Sequence, residues 1–235
     1  MSRTTEPIRA AFFDVDETLI TIKSMFRFLA HHFAALGSPP SRYEQAAGLL
    51  HSRAAAGVPR AETNRTYYEF FLGQPVDKVA EHGREWFAEE LAAGGLFHEP
   101  AVRAFTEHRD ARDLTVLVSG SFSACLAPIA EHLGADLALG TEPEAEHGHY
   151  TGRTGTPMIG SEKGAAAVRT LASWRLSPAD AYAYADHASD LGLLRAVAHP
   201  VVVGEDPMLL EHAAQHGWAR LPGIDRASST SAKRG

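Results

Sequence analysis

The sequence of 235 residues contains one cysteine, no long apolar run and no excess of basic residues. Cys125 stands alone, so it cannot form an internal disulfide or a thiolate metal cluster. No apolar run approaches the roughly 20 residues of a membrane span, and the first residues lack the apolar stretch of a secretory signal. The formal net charge of −7 argues against sequence-independent nucleic-acid binding, which needs a basic face. We therefore expect a cytoplasmic protein without nucleic-acid or membrane partners.

Short apolar runs alternate with helical patterns along much of the chain. The apolar runs, which are predicted strands, cover residues 10–13, 114–118, 181–185 and 201–203. Helices are predicted over residues 100–111, 122–133, 162–174 and 190–198. Strands that alternate with helices favour a parallel sheet covered on both faces. The sequence therefore predicts an α/β fold with a mainly parallel sheet and ligands at the carboxyl edge of its strands.

A long helical segment separates the first two predicted strands. Apolar residues at helical spacing predict a buried stripe at Phe26, Leu29, Phe33 and Leu36. Another helix is suggested by Val79, Trp86, Phe87 and Leu91. Some 75 residues exceed a simple crossover connection, so we interpret residues 21–95 as a helical cap. The core would then comprise residues 1–20 and 96–224, with hinges near residues 20–22 and at Gly94 and Gly95. Residues 136–160 are predicted to form short strands and loops near the sheet edge, and residues 225–235 a disordered tail.

Polar residues follow three of the predicted strands. Asp14 and Asp16 come directly after the first strand, and residues two apart in an extended segment point the same way. Two carboxylates so close repel each other unless a cation or a proton separates them. This favours one ionised nucleophile and one acid, although a pair of turn-capping aspartates would give the same pattern.

The other candidate residues are individually less specific. Ser119 and Gly120 follow the second strand and could cradle an anion at a helix start, where an ordinary Ser121 cap is the alternative. Lys163 lies near the start of a helix, where the macrodipole does not favour a cation. Asp186 follows the third strand and Asp190 lies one helical turn further on, an arrangement that can hold Mg²⁺.

Together these motifs, Asp-x-Asp-x-Thr, Ser-Gly, Lys and Asp-x-x-x-Asp in this order, resemble the haloacid dehalogenase (HAD) superfamily of phosphatases. The length and placement of the insert resemble the helical-cap subgroup (C1 cap, subfamily IB) that includes phosphoserine phosphatase. The core resemblance covers most of residues 8–205. It implies a Rossmann-like core with an inserted cap, and a Mg²⁺-dependent hydrolase of small phosphorylated metabolites.

The resemblance also implies residue roles. Asp14 would attack phosphorus and form an aspartyl-phosphate, and Asp16 would act as the acid and then the base. Mg²⁺ would be held by Asp14, by Asp186 and by the backbone carbonyl of Asp16. The phosphoryl oxygens would be held by Ser119, Gly120 and Lys163, while Asp190 and Ser189 would orient the metal site from behind.

Two departures from the subgroup bear on the substrate. His187 stands where a small residue is usual and could shape the substrate entrance. Lys23 stands seven residues beyond Asp16, where phosphoserine phosphatases carry a glutamate for the substrate amine. Arg65 and Tyr67 are the nearest cap candidates for reading the rest of the substrate. Because a cation cannot hold an ammonium group, we expect a phosphomonoester other than phosphoserine.

Three alternatives stay open at this point. A phosphotransferase would use the same aspartyl-phosphate with an alcohol in place of water. Phosphoserine phosphatase itself is the second alternative, and a non-catalytic binding module on the same fold is the third. The sequence does not indicate an oligomeric state.

Overall fold

The computed structural model describes residues 7–224. Its strands are β1 (Ala10–Asp14), β2 (Leu114–Val118), β3 (Leu137–Leu139), β4 (Pro143–Glu146), β5 (His149–Thr154), β6 (Ala181–Ala185), β7 (His199–Val203) and β8 (Ala219–Leu221). Its helices are α1 (Ser24–Ala35), α2 (Pro40–Ala55), α3 (Arg60–Glu69), α4 (Val76–Ala93), α5 (Glu99–Asp110), α6 (Ser123–Leu133), α7 (Ser161–Ser173), α8 (Leu191–Leu194) and α9 (Pro207–His216). The predicted tail at residues 225–235 lies outside the described residues.

Six strands form one parallel sheet in the order β3-β2-β1-β6-β7-β8. The central strand β1 pairs with β2 and β6, so that Phe12 lies opposite Val116 on one side and Ala183 on the other. Since all neighbours are parallel, the carboxyl ends of β1, β2 and β6 meet at one edge. This confirms the predicted α/β fold with a parallel sheet.

Both faces of the sheet are buried. Along β1, Ala11 and Phe13 face a core that includes α5 and α6, while Ala10 and Phe12 face a second core that includes α7 and α9. The alternation follows from the two-residue period of a strand. Because each face buries apolar side chains, β1 is apolar throughout until Asp14 ends it.

Four helices, α1–α4, lie between β1 and α5 in the chain. They pack on the same side of the sheet as α5 and α6, and Gly83 of α4 lies against the backbone of Ala124 in α6. The predicted stripe on α1 is partly wrong. The buried residues of α1 are Ser24, Phe28, Leu29, His32 and Phe33, whereas Leu36 is exposed and Phe26 is only half-buried. Phe26 instead lines a cavity that Asp14 also lines.

Two chain segments connect these helices to the rest of the fold. Thr21 donates its backbone N–H to the Leu96 carbonyl and its hydroxyl to the Gly95 carbonyl, each at 2.8 Å. Gly94 and Gly95 have φ angles of 76° and 72°, a left-handed conformation that glycine adopts without strain. The segments therefore run side by side at the two predicted hinges. Whether residues 21–95 move as a cap remains a proposal.

The segment between α6 and α7 divides into two parts. β3 pairs with β2 at the sheet edge, as predicted. The β4–β5 hairpin instead bonds the turn between α3 and α4, where Gly73 donates to the Tyr150 carbonyl and Tyr150 to the Gln74 carbonyl. The hairpin thus contacts the helical insert. The sequence pattern did not indicate this contact. Among residues 7–224, no helix combines the length and apolar character that crossing a bilayer requires.

Candidate active site

Three aspartates meet at the carboxyl edge of the sheet. Asp14 ends β1, Asp186 follows β6, and Asp190 lies four residues further on. One oxygen of each carboxylate lies within 4.8 Å of the others. The aspartates come together because β1 and β6 are parallel neighbours. The cluster offers only oxygen ligands, which suit a hard divalent cation such as Mg²⁺.

Lys163 lies against two of these carboxylates. Its Nζ is 2.6 Å from Asp14 Oδ1 and 2.8 Å from Asp190 Oδ1, and the side chain is 6% exposed. The neighbouring Gly164 explains the position, since a Cβ there would lie 2.5 Å from the Gly192 carbonyl oxygen. Only a glycine lets α7 approach the loop that carries Asp190 so closely. Two buried carboxylates therefore stabilise the Lys163 cation at a helix start, where the macrodipole alone would not.

Thr18 connects the loops that follow β1 and β6. Its hydroxyl donates to Asp186 Oδ1 at 2.9 Å and lies 3.4 Å from Asp14 Oδ2. The threonine of the Asp-x-Asp-x-Thr motif therefore orients a carboxylate that lies 168 residues further along the chain.

Asp16 points toward the start of α1. The backbone N–H of Ser24 donates to Asp16 Oδ1 at 2.9 Å, which satisfies one of the unpaired N–H groups of the first helical turn. The Lys23 side chain provides no such cap. Asp16 is thus held between the sheet edge and the first helix of the insert.

Burial and crowding shift the pKa values of these groups upward. Burial raises the pKa of Asp14 to about 6, an effect that Lys163 opposes and Asp186 reinforces. Burial likewise raises the pKa of Asp16 to about 6, against the hydrogen bonds from Ser24. Burial also raises the pKa of Asp186. Burial favours the neutral amine of Lys163, but Asp14 and Asp190 outweigh it and raise its pKa. A divalent cation would relieve the repulsion among these carboxylates.

The Ser119-Gly120 loop is held from three directions. The Gly120 carbonyl accepts bonds from Asn64 Nδ2, the Tyr68 hydroxyl and the Thr141 hydroxyl, each at 2.9 Å. Ser119 Oγ accepts the backbone N–H of Ser121 at 3.0 Å. Asn64 and Tyr68 belong to α3, so the insert fixes a loop of the sheet edge directly.

A cavity of about 420 Å³ opens above the aspartates. Of the residues predicted to read the substrate, Lys23, Tyr67 and His187 line it. Arg65 does not, because it lies on the exposed face of α3. The lining residues of that helix are Arg60, Thr63, Asn64 and Tyr67, which recur at the spacing of one helical face. Arg60 therefore occupies the place that the sequence assigned to Arg65.

His187 and Ser189 contact the insert through Arg60. Arg60 Nη1 lies 2.9 Å from His187 Nδ1 and 3.1 Å from Ser189 Oγ. The backbone N–H of Ser189 also donates to His187 Nδ1 at 3.0 Å, so this nitrogen is an acceptor. Burial and the Arg60 charge lower the pKa of His187, in agreement with a neutral ring. The expected place of His187 at the entrance is consistent with this geometry.

Sequence reasoning missed Glu17, Arg60 and Asn64 in the site. Glu17 has a φ angle of 61°, a left-handed conformation that is unusual for a residue with a side chain. Its carboxylate lies 3.3 Å from Lys23 Nζ. Strain at the residue between Asp16 and Thr18 of the motif is a signal that only the structure provides. Arg60 and Asn64 lie in a helix without a strong apolar pattern, so nothing marked their face.

The sequence profile of the haloacid dehalogenase-like hydrolase family matches residues 11–195, which include every motif described above. The chain belongs to this family. The HAD fold and the hydrolase class expected from the motifs are therefore confirmed.

Relatives agree with this assignment. The chain is 33% identical over 218 residues to a protein of Mycobacterium tuberculosis named as a probable phosphatase, covering 90% of this chain and 74% of the relative. It is 29% identical over 222 residues to a phosphoserine phosphatase of the same species, covering 89% and 69%. A structure of phosphoserine phosphatase superposes with a TM-score of 0.66 at 17% identity, covering 97% of this chain and 99% of the other. That structural likeness supports the HAD fold.

Proposed function

We propose that this HAD hydrolase is a Mg²⁺-dependent phosphatase that hydrolyses a small phosphomonoester through an aspartyl-phosphate on Asp14. The observation that carries the proposal is the group of Asp14, Asp186, Asp190 and Lys163, which lines the cavity and is buried except for the half-buried Asp186. Phosphoryl transfer depends on positioning and on charge neutralisation, and this group supplies both anionic and cationic partners.

The proton steps fall to Asp16. In the first half-reaction a carboxylate oxygen of Asp14 bonds to phosphorus as the bond to the leaving oxygen breaks, and Asp16 gives that oxygen a proton. In the second, Asp16 takes a proton from water, whose oxygen attacks phosphorus and releases Asp14. The Ser24 hydrogen bond supports this role because it fixes the carboxylate of Asp16, a residue that lines the cavity.

Magnesium fits the donor set. The ion would be held by the carboxylates of Asp14 and Asp186 and by the backbone carbonyl of Asp16. It would neutralise charge on the phosphoryl group. Ser119, the Gly120 N–H and Lys163 would bind the phosphoryl oxygens. Thr18 and Asp190 would keep Asp186 and Lys163 in place, in keeping with their contacts at 2.9 and 2.8 Å. Ser189 would act further out, through its contact with Arg60.

The charge around the cavity bears on the substrate. Lys23 and Arg60 line its wall and favour a second anionic group, such as a carboxylate, over an ammonium. This supports a substrate other than phosphoserine. Glu17 beside Lys23 and the phosphoserine phosphatase among the relatives keep phosphoserine as the alternative. Efficient phosphoserine hydrolysis would exclude our preferred substrate class.

A phosphate-release screen tests the proposal. The purified protein is assayed with and without Mg²⁺ on p-nitrophenyl phosphate, sugar phosphates, phosphorylated acids, amino-alcohol phosphates and nucleotides. We expect Mg²⁺-dependent release from p-nitrophenyl phosphate and from a subset of the panel. Absence of turnover on every compound would favour a binding module. Phosphorylated products formed with added alcohols would favour a phosphotransferase. A cytoplasmic location stays a prediction, which fractionation of cells would test.

A further inference from the structure

One wall of the cavity, formed by the helical insert, is largely apolar. It is built by Met25 and Phe26 of α1, Leu50 and Ala54 of α2, and Val58 in the turn before α3. Asp14 and Asp16 line the same cavity. A leaving group of sufficient size that occupies this cavity can therefore contact the wall.

We infer that this wall, hereafter the apolar wall, binds an apolar part of the leaving group. The substrate class is then a phosphomonoester whose alcohol has an aryl or branched-alkyl body. The inference rests on the proposed phosphatase function and makes its substrate more specific.

Phe26 gives the wall a surface that a ligand can reach, although Leu50 of the same wall belongs to the core. Its neighbours on α1, Phe28, Leu29 and Phe33, are 0–2% exposed, whereas Phe26 is half-buried and faces the cavity. One face of its ring stacks on His51 of α2, with centroids 5.1 Å apart and planes 5° apart. Two helices thus combine to hold a flat ring beside the cavity.

Apart from the Thr63 hydroxyl, which has no hydrogen-bond partner among the described residues, four polar side chains near the wall already bond to the protein. Asn64 Nδ2 donates to the Gly120 carbonyl and the Tyr67 hydroxyl to the Met25 carbonyl, both at 2.9 Å. Arg60 contacts His187 and Ser189, and Lys23 pairs with Glu17. What this side of the cavity presents to a ligand is therefore mainly carbon, which favours an apolar group.

The cavity volume agrees with a larger leaving group than serine. At about 420 Å³ it falls within the usual range of roughly 300–1,000 Å³ for small-molecule sites. A phosphorylated alcohol of two or three carbons would leave the apolar wall in contact with water.

Two matched pairs of ligands test the inference. The first pair, 2-phenylethyl phosphate and ethyl phosphate, has leaving alcohols of similar acidity, so their kcat/KM ratio reports binding of the phenyl group. We expect a ratio of at least about 10, expressed mainly in KM. The second pair, 2-phenylethylphosphonate and ethylphosphonate, is not hydrolysed, and calorimetry with Mg²⁺ should show the same preference in Kd.

The two readouts separate the inference from the proposed function. A phosphonate preference without turnover of any ester would uphold the apolar wall and contradict the phosphatase proposal. Turnover with a kcat/KM ratio near 1 and equal phosphonate affinities would overturn the inference and leave the phosphatase proposal intact.

Variants locate the preference on the wall. Phe26→Ala should lower the phenylethyl-to-ethyl ratio about tenfold, and Val58→Thr, which nearly conserves volume, should lower it severalfold. Leu49→Ala is the matched control, because Leu49 lies on α2 beside Leu50, is 46% exposed and does not line the cavity. Thermal unfolding verifies that each variant is folded. An unchanged ratio in folded Phe26→Ala and Val58→Thr proteins would overturn the inference.

Discussion

The sheet edge and the helical insert differ in what they contribute to the cavity. The edge contributes charge, in the form of Asp14, Asp186 and Lys163. Lys163 pairs with Asp14, and the Thr18 hydroxyl donates to Asp186. The insert contributes mainly carbon, from α1 and α2, together with the rim cations Lys23 and Arg60. The difference separates chemistry from selection, since phosphoryl transfer needs fixed charges whereas a leaving group needs a surface of matching shape and polarity.

The largest expected effect lies at the sheet edge. Asp14→Asn should lower kcat by at least about a thousandfold, because the nearly isosteric amide cannot act as the nucleophile. Fluoroberyllate should form its adduct on Asp14 in the wild type only. Asp77→Asn, at an exposed position on α4, is the control. Substantial turnover in a pure Asp14→Asn preparation would contradict the mechanism.

The same edge should respond to metal removal. Chelation should abolish turnover and Mg²⁺ should restore it, since only oxygen ligands are present in the aspartate cluster. Asp186→Ala should raise the Mg²⁺ concentration for half-maximal activity by at least about tenfold. Asp180→Ala, at an exposed position before β6, should not. Full activity after exhaustive chelation would exclude the proposed metal site.

The two regions also differ in how well their site residues could be predicted from the sequence. Asp14 and Asp186 were predictable because each follows an apolar strand, and parallel strands bring such positions to one edge. Lys163 was marked by its unfavourable place at a helix start.

The insert was harder to interpret because its contacts are not local. Phe26 fits an apolar stripe by spacing but faces a cavity that α2 completes. The sequence pointed to Arg65 and not to Arg60 because the orientation of α3 depends on a distant contact. Asn64 of α3 donates to the Gly120 carbonyl, 56 residues further along the chain. The periodicity of one helix cannot reveal a partner that lies on another element.

Two helical glycines of the insert test how it attaches to the core. Gly83 of α4 packs on the Ala124 backbone of α6, so a Cβ there would collide with main-chain atoms. Gly83→Ala should lower the free energy of unfolding by about 3 kcal/mol, as expected for overpacking without room to relax. Gly48→Ala on α2 has open space and should raise it by about 0.5–1 kcal/mol. Urea denaturation measures both, and a stable Gly83→Ala protein would contradict this attachment.

A smaller effect than that of Gly83→Ala is expected from a buried histidine pair inside the insert. His32 of α1 and His82 of α4 are 0% and 2% exposed, and their Nδ1 atoms lie 2.9 Å apart. Burial, and then the neighbouring His82, lower the pKa of His32 to about 4, and burial lowers that of His82. Because the unfolded chain binds protons near pH 6.5 and the folded pair does not, stability falls as the pH drops from about 6.5 to about 4. The loss should be about 2 kcal/mol for His32.

Urea denaturation between pH 7 and pH 4 tests this expectation. The His32→Leu protein is less stable at pH 7 because the pair is broken, but its unfolding free energy should fall less steeply with acid. His147→Asn is the control, because His147 is exposed and asparagine tolerates its φ angle of 50°. Its slope should match that of the wild type. Equal slopes in the wild type and His32→Leu would show that His32 takes up a proton in the folded state, and that the α1–α4 contact is wetter than its burial implies.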